Sequence, residues 1–344
     1  MKKIKVGVYG GTGYSGWELI QLLLAHPQTE IQFITSERMT GQNLSDTWPR
    51  APDIPLQSAS EVDLDGVECV FLCLPHTHSA HIAARAKMAG VSVIDLSADL
   101  RLNDPQDYAF WYKTAHAAPH LLPVVYGLPE FYREHIQGAK MVANPGCYAT
   151  AVLLGLLPLA QAGLITEKVP LIVDAKSGTT GAGRSPKQDL LFSEVSGNFS
   201  PYKIGRVHPH IGEVEQQLAV SGVAKGRLVF SPHLLPTDRG ILAAIYAPVN
   251  DACQALAAVQ QAYISEPLVK VLPEGELASL AHVVRTPFAA ISLTPLADHM
   301  LIMMVAIDNL LKGAASQALQ NFNLIFGLEE TTGLLTQAER TSSL

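Results

Sequence analysis

The sequence has 344 residues, of which 48% are hydrophobic and 16% are charged, and its formal net charge is −7. This length is typical of two domains, and the low charged fraction excludes an intrinsically disordered chain. The acidic balance argues against nucleic acid or an anionic membrane as a main partner, and four cysteines are too few for a disulfide framework.

The opening residues are basic, but they run directly into a glycine-rich segment without the apolar stretch of a signal peptide. The most apolar later stretch, Ala151–Ala160, is interrupted by Gly155 and Pro158. It is also shorter than the ~20 residues that a membrane-spanning helix needs. We therefore expect a soluble, cytoplasmic protein.

Short apolar runs alternate with helical patterns in the first third of the sequence. Strands are predicted at Ile4–Tyr9, Ile31–Thr35, Val67–Leu74 and Val91–Leu96, with helices at Gly16–Ala25 and Ser79–Ala89. This alternation is typical of parallel βαβ units. It predicts an α/β fold with a wound, parallel-sheet first domain.

A glycine-rich segment, Gly10-Gly11-Thr12-Gly13-Tyr14-Ser15-Gly16, lies between the first predicted strand and the first predicted helix. Gly11, Gly13 and Gly16 match the G-x-G-x-x-G pattern in the setting where it binds dinucleotides. The backbone can approach a pyrophosphate there, and N–H groups at the helix start can hold its charge. A glycine-rich turn without a ligand is the alternative, but the setting favours dinucleotide binding by Gly10–Gly16.

The end of the second predicted strand indicates which dinucleotide binds. Ser36 and Arg38 favour the 2′-phosphate of NADP, because a guanidinium forms a charge-assisted pair with phosphate. Glu37 lies between them, and an acidic residue at this position is typical of NAD binding. The sequence therefore favours NADP and leaves NAD open. His76, after the third strand, is expected to line the same site, with a solvated loop histidine as the alternative.

Later strands are longer and more widely spaced. They are predicted at Pro170–Lys176, Arg227–Pro232, Gly240–Pro248 and Met300–Ile307, with helices at Ile211–Ala219, Ala252–Ser265 and Leu311–Phe326. This pattern predicts an α+β second domain with a mostly antiparallel sheet.

Cys147 follows a short predicted strand and precedes an apolar helical pattern. Asn144 is predicted to cap that helix and Pro145 to occupy its first position, which places Cys147 in the first turn. Unpaired N–H groups and the helix dipole stabilise a thiolate there, so Cys147 is predicted to be a nucleophile. The other cysteines, Cys69, Cys73 and Cys253, are predicted to pack in the core.

A cysteine nucleophile needs an acid–base partner, and His208-Pro209-His210 is the strongest candidate segment. Pro209 is predicted to open a helix, which places both imidazoles at its N-terminal end. No cluster of cysteines or carboxylates accompanies them, so no metal site is expected.

Two further loops have the composition of anion sites. Asp95–Arg101 places two acids and an arginine after the fourth strand, and Ser177–Arg184 is rich in small and hydroxyl residues. Either loop alone is more often a surface turn. Together with the dinucleotide loop and Cys147 they indicate a small anionic acyl substrate.

These motifs together resemble the N-acetyl-gamma-glutamyl-phosphate reductases, relatives of the aspartate-semialdehyde dehydrogenases. The resemblance spans nearly the whole chain, in blocks at Gly10–Gly16, Asp95–Leu102, Tyr126–Glu130, Asn144–Thr150, Ser177–Arg184, His208–Gln216, Arg239–Gly240 and Asp308–Asn323. It implies an NADP-binding Rossmann domain at residues 1–146, completed by a C-terminal helix at about 311–344. A catalytic and dimerisation domain is implied at 147–310, with assembly as a homodimer or homotetramer.

The resemblance also implies individual roles. Cys147 would be the nucleophile and His210 the acid–base, with His208 the less favoured claimant. Implied cofactor contacts beyond the glycine-rich segment are Ser36, Arg38, Pro75, His76, Gly178, Gly181 and Asn309. Implied substrate contacts are Arg101, Asn144, Tyr202, Lys203 and His208.

The implied reaction is the NADPH-dependent reduction of N-acetyl-gamma-glutamyl phosphate through a thioester on Cys147. Thr237-Asp238 departs from the pattern of the family, so the same chemistry on aspartyl phosphate or a carrier-linked aminoadipyl phosphate stays open. A non-catalytic dinucleotide sensor is the remaining alternative, but it leaves Cys147 and the histidine segment without a role.

Overall fold

The computed structural model describes residues 2–167, 169–297 and 299–335, and the chain divides into two compact units. The first unit, called the nucleotide unit below, holds the chain up to Pro145 and from Ala314 onward. The second, called the thiol unit, holds Gly146–Gly313. Residues 336–344 of the implied C-terminal region lie outside the described residues. Within the described ranges, no helix has the length and apolarity needed to cross a membrane.

The nucleotide unit contains a parallel sheet of seven strands. In chain order they are β1 (Ile4–Tyr9), β2 (Thr29–Thr35), β3 (Leu56–Gln57), β4 (Cys69–Leu72), β5 (Ser92–Asp95), β6 (Val125–Tyr126) and β7 (Met141–Ala143). Their spatial order is β3-β2-β1-β4-β5-β7-β6, so the strand order reverses between β1 and β4. In wound sheets a ligand binds beyond the carboxyl ends of the strands at such a reversal.

The helices of this unit are α1 (Tyr14–Ala25), α2 (Leu44–Thr47), α3 (Ser79–Met88), α4 (Pro105–Tyr112), α5 (Pro129–Ile136) and, near the C-terminus, α10 (Ser316–Ile325). Helix α10 is held by its buried side chains. Asn323 Oδ1 lies 3.1 Å from His26 Nε2, and the ring of Phe322 packs against that of Phe71 on β4. The C-terminal segment is therefore part of the core of the nucleotide unit.

The thiol unit contains a mixed sheet of seven strands. They are β8 (Leu171–Ser177), β9 (Ser200–Pro201), β10 (Leu228–Leu234), β11 (Ile241–Pro248), β12 (Val269–Val271), β13 (Ala289–Leu296) and β14 (Met300–Ile307). The order is β12-β13-β14-β11-β8-β10-β9, with parallel pairing at β12–β13 and β8–β10 and antiparallel pairing elsewhere.

The helices of the thiol unit are α6 (Cys147–Gln161), α7 (Phe192–Val195), α8 (His210–Val220) and α9 (Ala252–Tyr263). Helix α6 is buried from Tyr148 to Ala160 and packs on one face of the sheet. Gly155 permits the close approach, because a Cβ there would lie 2.6 Å from Ile245 Cδ1 on β11. The apolar stretch Ala151–Ala160 is therefore buried against the sheet of the thiol unit.

The α/β prediction is confirmed, and the predicted bounds of β1 and β14 are those observed. Strand β13 and helices α4 and α5 were not predicted. Pro295 weakens the strand pattern of β13, although it sits at the exposed end of that strand, where a missing N–H costs little. The last helix was predicted from Leu311, but Leu311–Ala315 forms a π-helical turn before α10 begins.

The prediction that the other cysteines pack in the core is wrong for Cys253, which is exposed on α9. Cys73 lies just beyond the end of β4, although the predicted strand included it. Cys253 occupies an exposed position of an amphipathic helix whose buried positions are Ala252, Ala255, Val259 and Tyr263. Because this helix is rich in alanine, its sequence pattern did not distinguish the buried face from the exposed face.

Candidate active site

The glycine-rich segment forms a tight turn between β1 and α1. Gly10 has a φ of 79°, and the N–H groups of Gly10 and Gly11 both donate to the carbonyl of Thr35, at 3.2 and 3.0 Å. A Cβ on Gly11 would lie 2.2 Å from Ile34 Cγ2, and one on Gly16 would lie 2.5 Å from the Gly10 carbonyl oxygen. Glycine suits these two positions, because the Ile34 side chain fills the space beside Gly11 and the backbone of Gly10 fills the space beside Gly16.

Gly13 differs from its neighbours, because a Cβ there would meet no atom closer than 3.6 Å. It is the N-cap residue of α1, it has no side chain with which to cap the helix, and residues 14–17 include no acid. The first turn of α1 therefore has no side-chain cap from Gly13 and no acid of its own to offset the positive end of the helix dipole. That arrangement is suited to a pyrophosphate.

The residues after β2 are held in different ways. Ser36 is buried, with its Oγ 2.9 Å from Thr12 Oγ1 of the glycine-rich segment, and Arg38 is exposed. The carboxylate of Glu37 accepts hydrogen bonds from Ser58 Oγ and the N–H of Ala59. Ser36 and Arg38 thus carry a hydroxyl and a cation at the end of β2, whereas Glu37 is engaged elsewhere.

Pro75 and His76 are exposed in the turn after β4. The next residue, Thr77, has a φ of 77° and donates its N–H to Asp99 Oδ1 at 2.7 Å. Asp99 Oδ2 also accepts the N–H of Ala80 at 3.0 Å, in the first turn of α3. Asp99 therefore fixes the turn that presents His76 to solvent at the carboxyl end of the sheet.

The loop after β5 is organised by Asp95 and Arg101. Asp95 accepts the N–H and the hydroxyl of Ser97, both at 2.9 Å, and burial together with the nearby Asp99 raises its pKa to about 6. Arg101 is buried and donates from Nε to the Asn144 carbonyl at 2.9 Å and from Nη2 to the Leu96 carbonyl at 2.8 Å. These contacts give Arg101 a structural task in addition to the implied substrate contact.

Asn144 is fully buried, and both ends of its amide are engaged. Its Nδ2 donates to the Ala314 carbonyl at 3.2 Å, and its Oδ1 accepts from Asn321 Nδ2 at 3.0 Å. In this structure Asn144 anchors the C-terminal segment, and a substrate contact would require these hydrogen bonds to be exchanged.

Cys147 is the first residue of α6, so the predicted position in the first turn is confirmed. The predicted cap is wrong: Gly146, not Asn144, is the N-cap residue. Gly146 donates its N–H to Glu213 Oε1 at 2.8 Å, and the Cys147 side chain is half-buried. Gly313 packs closely on it, since a Cβ on Gly313 would lie 2.8 Å from Cys147 Cβ.

The two histidines lie at the start of α8, as predicted, and they differ in environment. His208 is buried, and its Nδ1 accepts the N–H of His210 at 3.2 Å. Burial, followed by the proximity of His210 and Lys203, lowers the pKa of His208 to about 2. His208 is therefore neutral at physiological pH, while His210 is only half-buried.

An aromatic group surrounds His208. The Tyr202 hydroxyl donates to the Tyr148 hydroxyl at 2.9 Å, and the rings of Tyr148 and Phe230 lie edge-on to His208 at 5.6 and 5.2 Å between centroids. Burial, with a further contribution from Tyr202, raises the pKa of Tyr148 far above its usual value, so the hydroxyl stays protonated. Lys203 is exposed, with a φ of 46°.

Sequence reasoning missed Tyr148, Phe230 and Glu213. Tyr148 directly follows the predicted nucleophile, and Glu213 lies three residues after His210, on the same face of the helix. That spacing was the signal available for Glu213. Phe230 reaches the site through sheet pairing and offered no local signal.

The second small-residue loop packs within the thiol unit. A Cβ on Gly178 would lie 2.6 Å from the backbone nitrogen of Arg239, and one on Gly181 would lie 3.1 Å from Ser177 Oγ. Asn309 bridges the loop, accepting the N–H of Gly240 at 2.7 Å and donating to Thr180 Oγ1 at 3.0 Å.

The residue that precedes Asn309 stabilises this bridge. Asp308 is fully buried and forms a two-point ion pair with Arg239, at 2.9 and 3.0 Å. The structure thus brings Gly178, Gly181 and Asn309 together within the thiol unit.

Comparisons with known proteins identify the family of both parts of the chain. Residues 5–139 match the model of "Semialdehyde dehydrogenase, NAD binding domain", and residues 147–309 match "Semialdehyde dehydrogenase, dimerisation domain". The solved aspartate semialdehyde dehydrogenase II of Vibrio cholerae, complexed with ASA, has a TM-score of 0.73 at 17% identity, covering 94% of this chain and 98% of that one. This likeness concerns the fold.

Curated relatives are much more similar in sequence. The N-acetyl-gamma-glutamyl-phosphate reductase of Citrifermentans bemidjiense is 44% identical, over 96% of this chain and 98% of its own length. The enzyme of that name from Magnetococcus marinus is 42% identical, over 97% of both chains. This chain is an oxidoreductase with a dinucleotide-binding domain, and it belongs to the N-acetyl-gamma-glutamyl-phosphate reductase family.

Proposed function

We propose that this enzyme catalyses the NADPH-dependent reductive dephosphorylation of N-acetyl-gamma-glutamyl phosphate to N-acetylglutamate semialdehyde, a step of arginine biosynthesis. One observation carries the proposal: a half-buried cysteine opens a helix, in a chain 44% identical to a reductase of that name. A dinucleotide sensor would not need a cysteine in that position.

Cys147 is proposed to act as a thiolate, which the first-turn N–H groups and the dipole of α6 stabilise. Its sulfur attacks the acyl carbon, the carbon–oxygen bond to phosphate breaks, and phosphate leaves with the electron pair. N–H groups at the start of α6 can also hold the oxyanion that develops on the substrate carbonyl.

When bound, NADPH supplies the hydride that reduces the resulting thioester, and the carbon–sulfur bond then breaks to release the aldehyde. The residues proposed to hold it are Gly10–Gly16, Ser36, Arg38, Pro75, His76, Gly178, Gly181 and Asn309. The open N-terminus of α1 suits its pyrophosphate, and the hydroxyl and guanidinium after β2 suit a 2′-phosphate.

His210 is proposed as the acid–base group. It accepts the thiol proton as the Cys147 thiolate forms and donates it to the departing phosphate, and a proton from solvent restores the thiol after the carbon–sulfur bond breaks. His208 is a weak base, because its pKa lies near 2, and its Nδ1 already accepts the N–H of His210. We assign to His208 the positioning of His210, and to Arg101, Tyr202 and Lys203 contacts with the anionic substrate.

Replacement of the nucleophile tests the proposal. Cys147→Ser should lose several orders of magnitude in turnover, because a serine hydroxyl has no thiolate character here. NADPH binding, measured by fluorescence titration, should stay near that of the wild-type enzyme. Cys253→Ser, at the exposed cysteine of α9, is the matched control and should retain full activity. Substantial turnover by Cys147→Ser would exclude the covalent route.

We also propose that the enzyme is a homodimer, formed through the open face of the sheet in the thiol unit. Tyr246, Ile172 and Val229 are neighbours across β11, β8 and β10, and all three side chains are 36–43% exposed. An apolar row of this kind on a sheet face is typical of an interface.

We also propose a cytoplasmic location, in keeping with four described cysteines outside any disulfide.

The dimer is tested by charge insertion. Val229→Asp should convert a dimer to a monomer in sedimentation velocity, because burying an unpaired carboxylate at an interface is costly. Val220→Asp, at the exposed end of α8, is the control and should leave the assembly unchanged. A wild-type enzyme that sediments as a monomer would refute the proposal.

A further inference from the structure

The strand end that selects the cofactor carries an acid, Glu37, in a chain for which we propose NADP. An acid at the end of the second strand ordinarily receives the ribose hydroxyls of NAD and repels a 2′-phosphate. The position of the Glu37 carboxylate is therefore informative about cofactor choice.

The carboxylate of Glu37 is fixed by two donors from one short segment. Oε2 accepts from Ser58 Oγ at 3.0 Å, and Oε1 accepts from the N–H of Ala59 at 2.7 Å. Both oxygens thus have a donor on residues that follow β3, the strand next to β2. We call Glu37, Ser58 and Ala59 the carboxylate clasp.

The receiving segment is itself held in place. Arg85 on α3 donates from Nη2 to the Ala59 carbonyl at 3.0 Å and to the Tyr9 hydroxyl at 2.7 Å. The Ala59 side chain packs against the hydrophobic core of the nucleotide unit. A free glutamate side chain would sample many rotamers, whereas the clasp presents a preformed pair of donors to this one.

Ser36, the residue before Glu37, has a different partner. Its Oγ is directed at Thr12 Oγ1 of the glycine-rich segment, at 2.9 Å. Consecutive residues at the end of β2 therefore have different partners. The hydroxyl of Ser36 contacts the glycine-rich segment, whereas the carboxylate of Glu37 is bound by Ser58 and Ala59 of the clasp.

We propose that the carboxylate clasp is a specificity determinant for the cofactor: it withdraws the charge of Glu37 from the adenosine ribose and so permits a 2′-phosphate beside Ser36 and Arg38. This inference rests on the proposed use of NADPH. With the clasp weakened, Glu37 can turn toward the ribose, where it accepts from the 2′-hydroxyl of NADH and repels the phosphate of NADPH.

Removal of the Ser58 hydroxyl tests the clasp. The dissociation constants of NADPH and NADH are measured by fluorescence titration for wild type, Ser58→Ala, Glu37→Gln and the double variant. One hydrogen bond to a charged group corresponds to about a tenfold change, so Ser58→Ala should shift the affinity ratio toward NADH by about that factor. In the double variant the ratio should return to the wild-type value, because no carboxylate remains to be released.

Ser45→Ala is the matched control, since Ser45 Oγ also donates to an exposed carboxylate, that of Asp53, in the same unit. It should leave the ratio unchanged. An unchanged ratio in Ser58→Ala, or a shift that persists with Glu37→Gln, would overturn the clasp. A wild-type enzyme that binds NADH as tightly as NADPH would instead overturn the proposed cofactor, so the two failures are distinct.

Discussion

At the scale of single residues, the structure separates two histidines that the sequence left as rivals. Both lie at the start of α8, but His208 is enclosed by aromatic rings, whereas His210 is half-buried. Burial is a property of neighbours far away in the sequence, such as Phe230. A local motif therefore predicts that histidines are present, but it cannot predict which of them is buried.

The buried, neutral state of His208 predicts a pH dependence of stability. Its pKa is about 2 in the folded chain and 6.5 ordinarily, so the unfolded chain binds the proton more readily between those values. The contribution of His208 to the free energy of unfolding is therefore fully present above pH 6.5. It decreases by about 1.4 kcal/mol for each pH unit below that value. His208→Asn should remove that part of the slope in urea unfolding measured from pH 7 to pH 5.

The comparison must be made against wild type, because Asp95 acts in the opposite direction. Its raised pKa, about 6, gives a contribution that is lost as pH rises through that value, and it is common to both proteins. His120→Asn, at an exposed histidine, should keep the wild-type slope. Equal slopes for wild type and His208→Asn would show that His208 titrates normally.

At the scale of elements, the turn from β1 to α1 assigns different tasks to its glycines. Gly11 and Gly16 are required by packing, whereas a Cβ on Gly13 would make only an ordinary contact, 3.6 Å from the Gly10 carbonyl oxygen. The sequence pattern predicts all three without distinguishing them, because the distinction depends on Ile34 of the neighbouring strand and on the backbone of Gly10. The structure therefore separates a requirement of folding from a requirement of binding.

Two alanine variants test that separation. Gly16→Ala should lose about 1–3 kcal/mol of the free energy of unfolding, since its methyl group would collide with the Gly10 carbonyl. Gly13→Ala should unfold at nearly the wild-type urea concentration but lose about 1–3 kcal/mol of NADPH binding free energy, because the methyl group would occupy the space of a phosphate. Wild-type NADPH affinity in Gly13→Ala would place the pyrophosphate elsewhere.

At the scale of the whole molecule, the sequence predicted what depends on local pattern. The alternation of strands and helices predicted the α/β class, and the setting of Cys147 predicted a helix start. The N-cap was mistaken because Asn144, a good capping residue in isolation, is recruited by Ala314 and Asn321 from the far end of the chain. Glu213, which takes up the N–H of Gly146 instead, arrives through packing of α8 on α6, which no local pattern encodes.

The identity of the substrate also depends on the whole molecule, and we propose that it is N-acetyl-gamma-glutamyl phosphate. The most direct test is the reverse reaction of the purified wild-type enzyme, with N-acetylglutamate semialdehyde, NADP and inorganic phosphate, followed by the absorbance of the reduced cofactor. We expect turnover that requires phosphate and is far slower with aspartate semialdehyde. Turnover with aspartate semialdehyde alone, or none with either aldehyde, would contradict it.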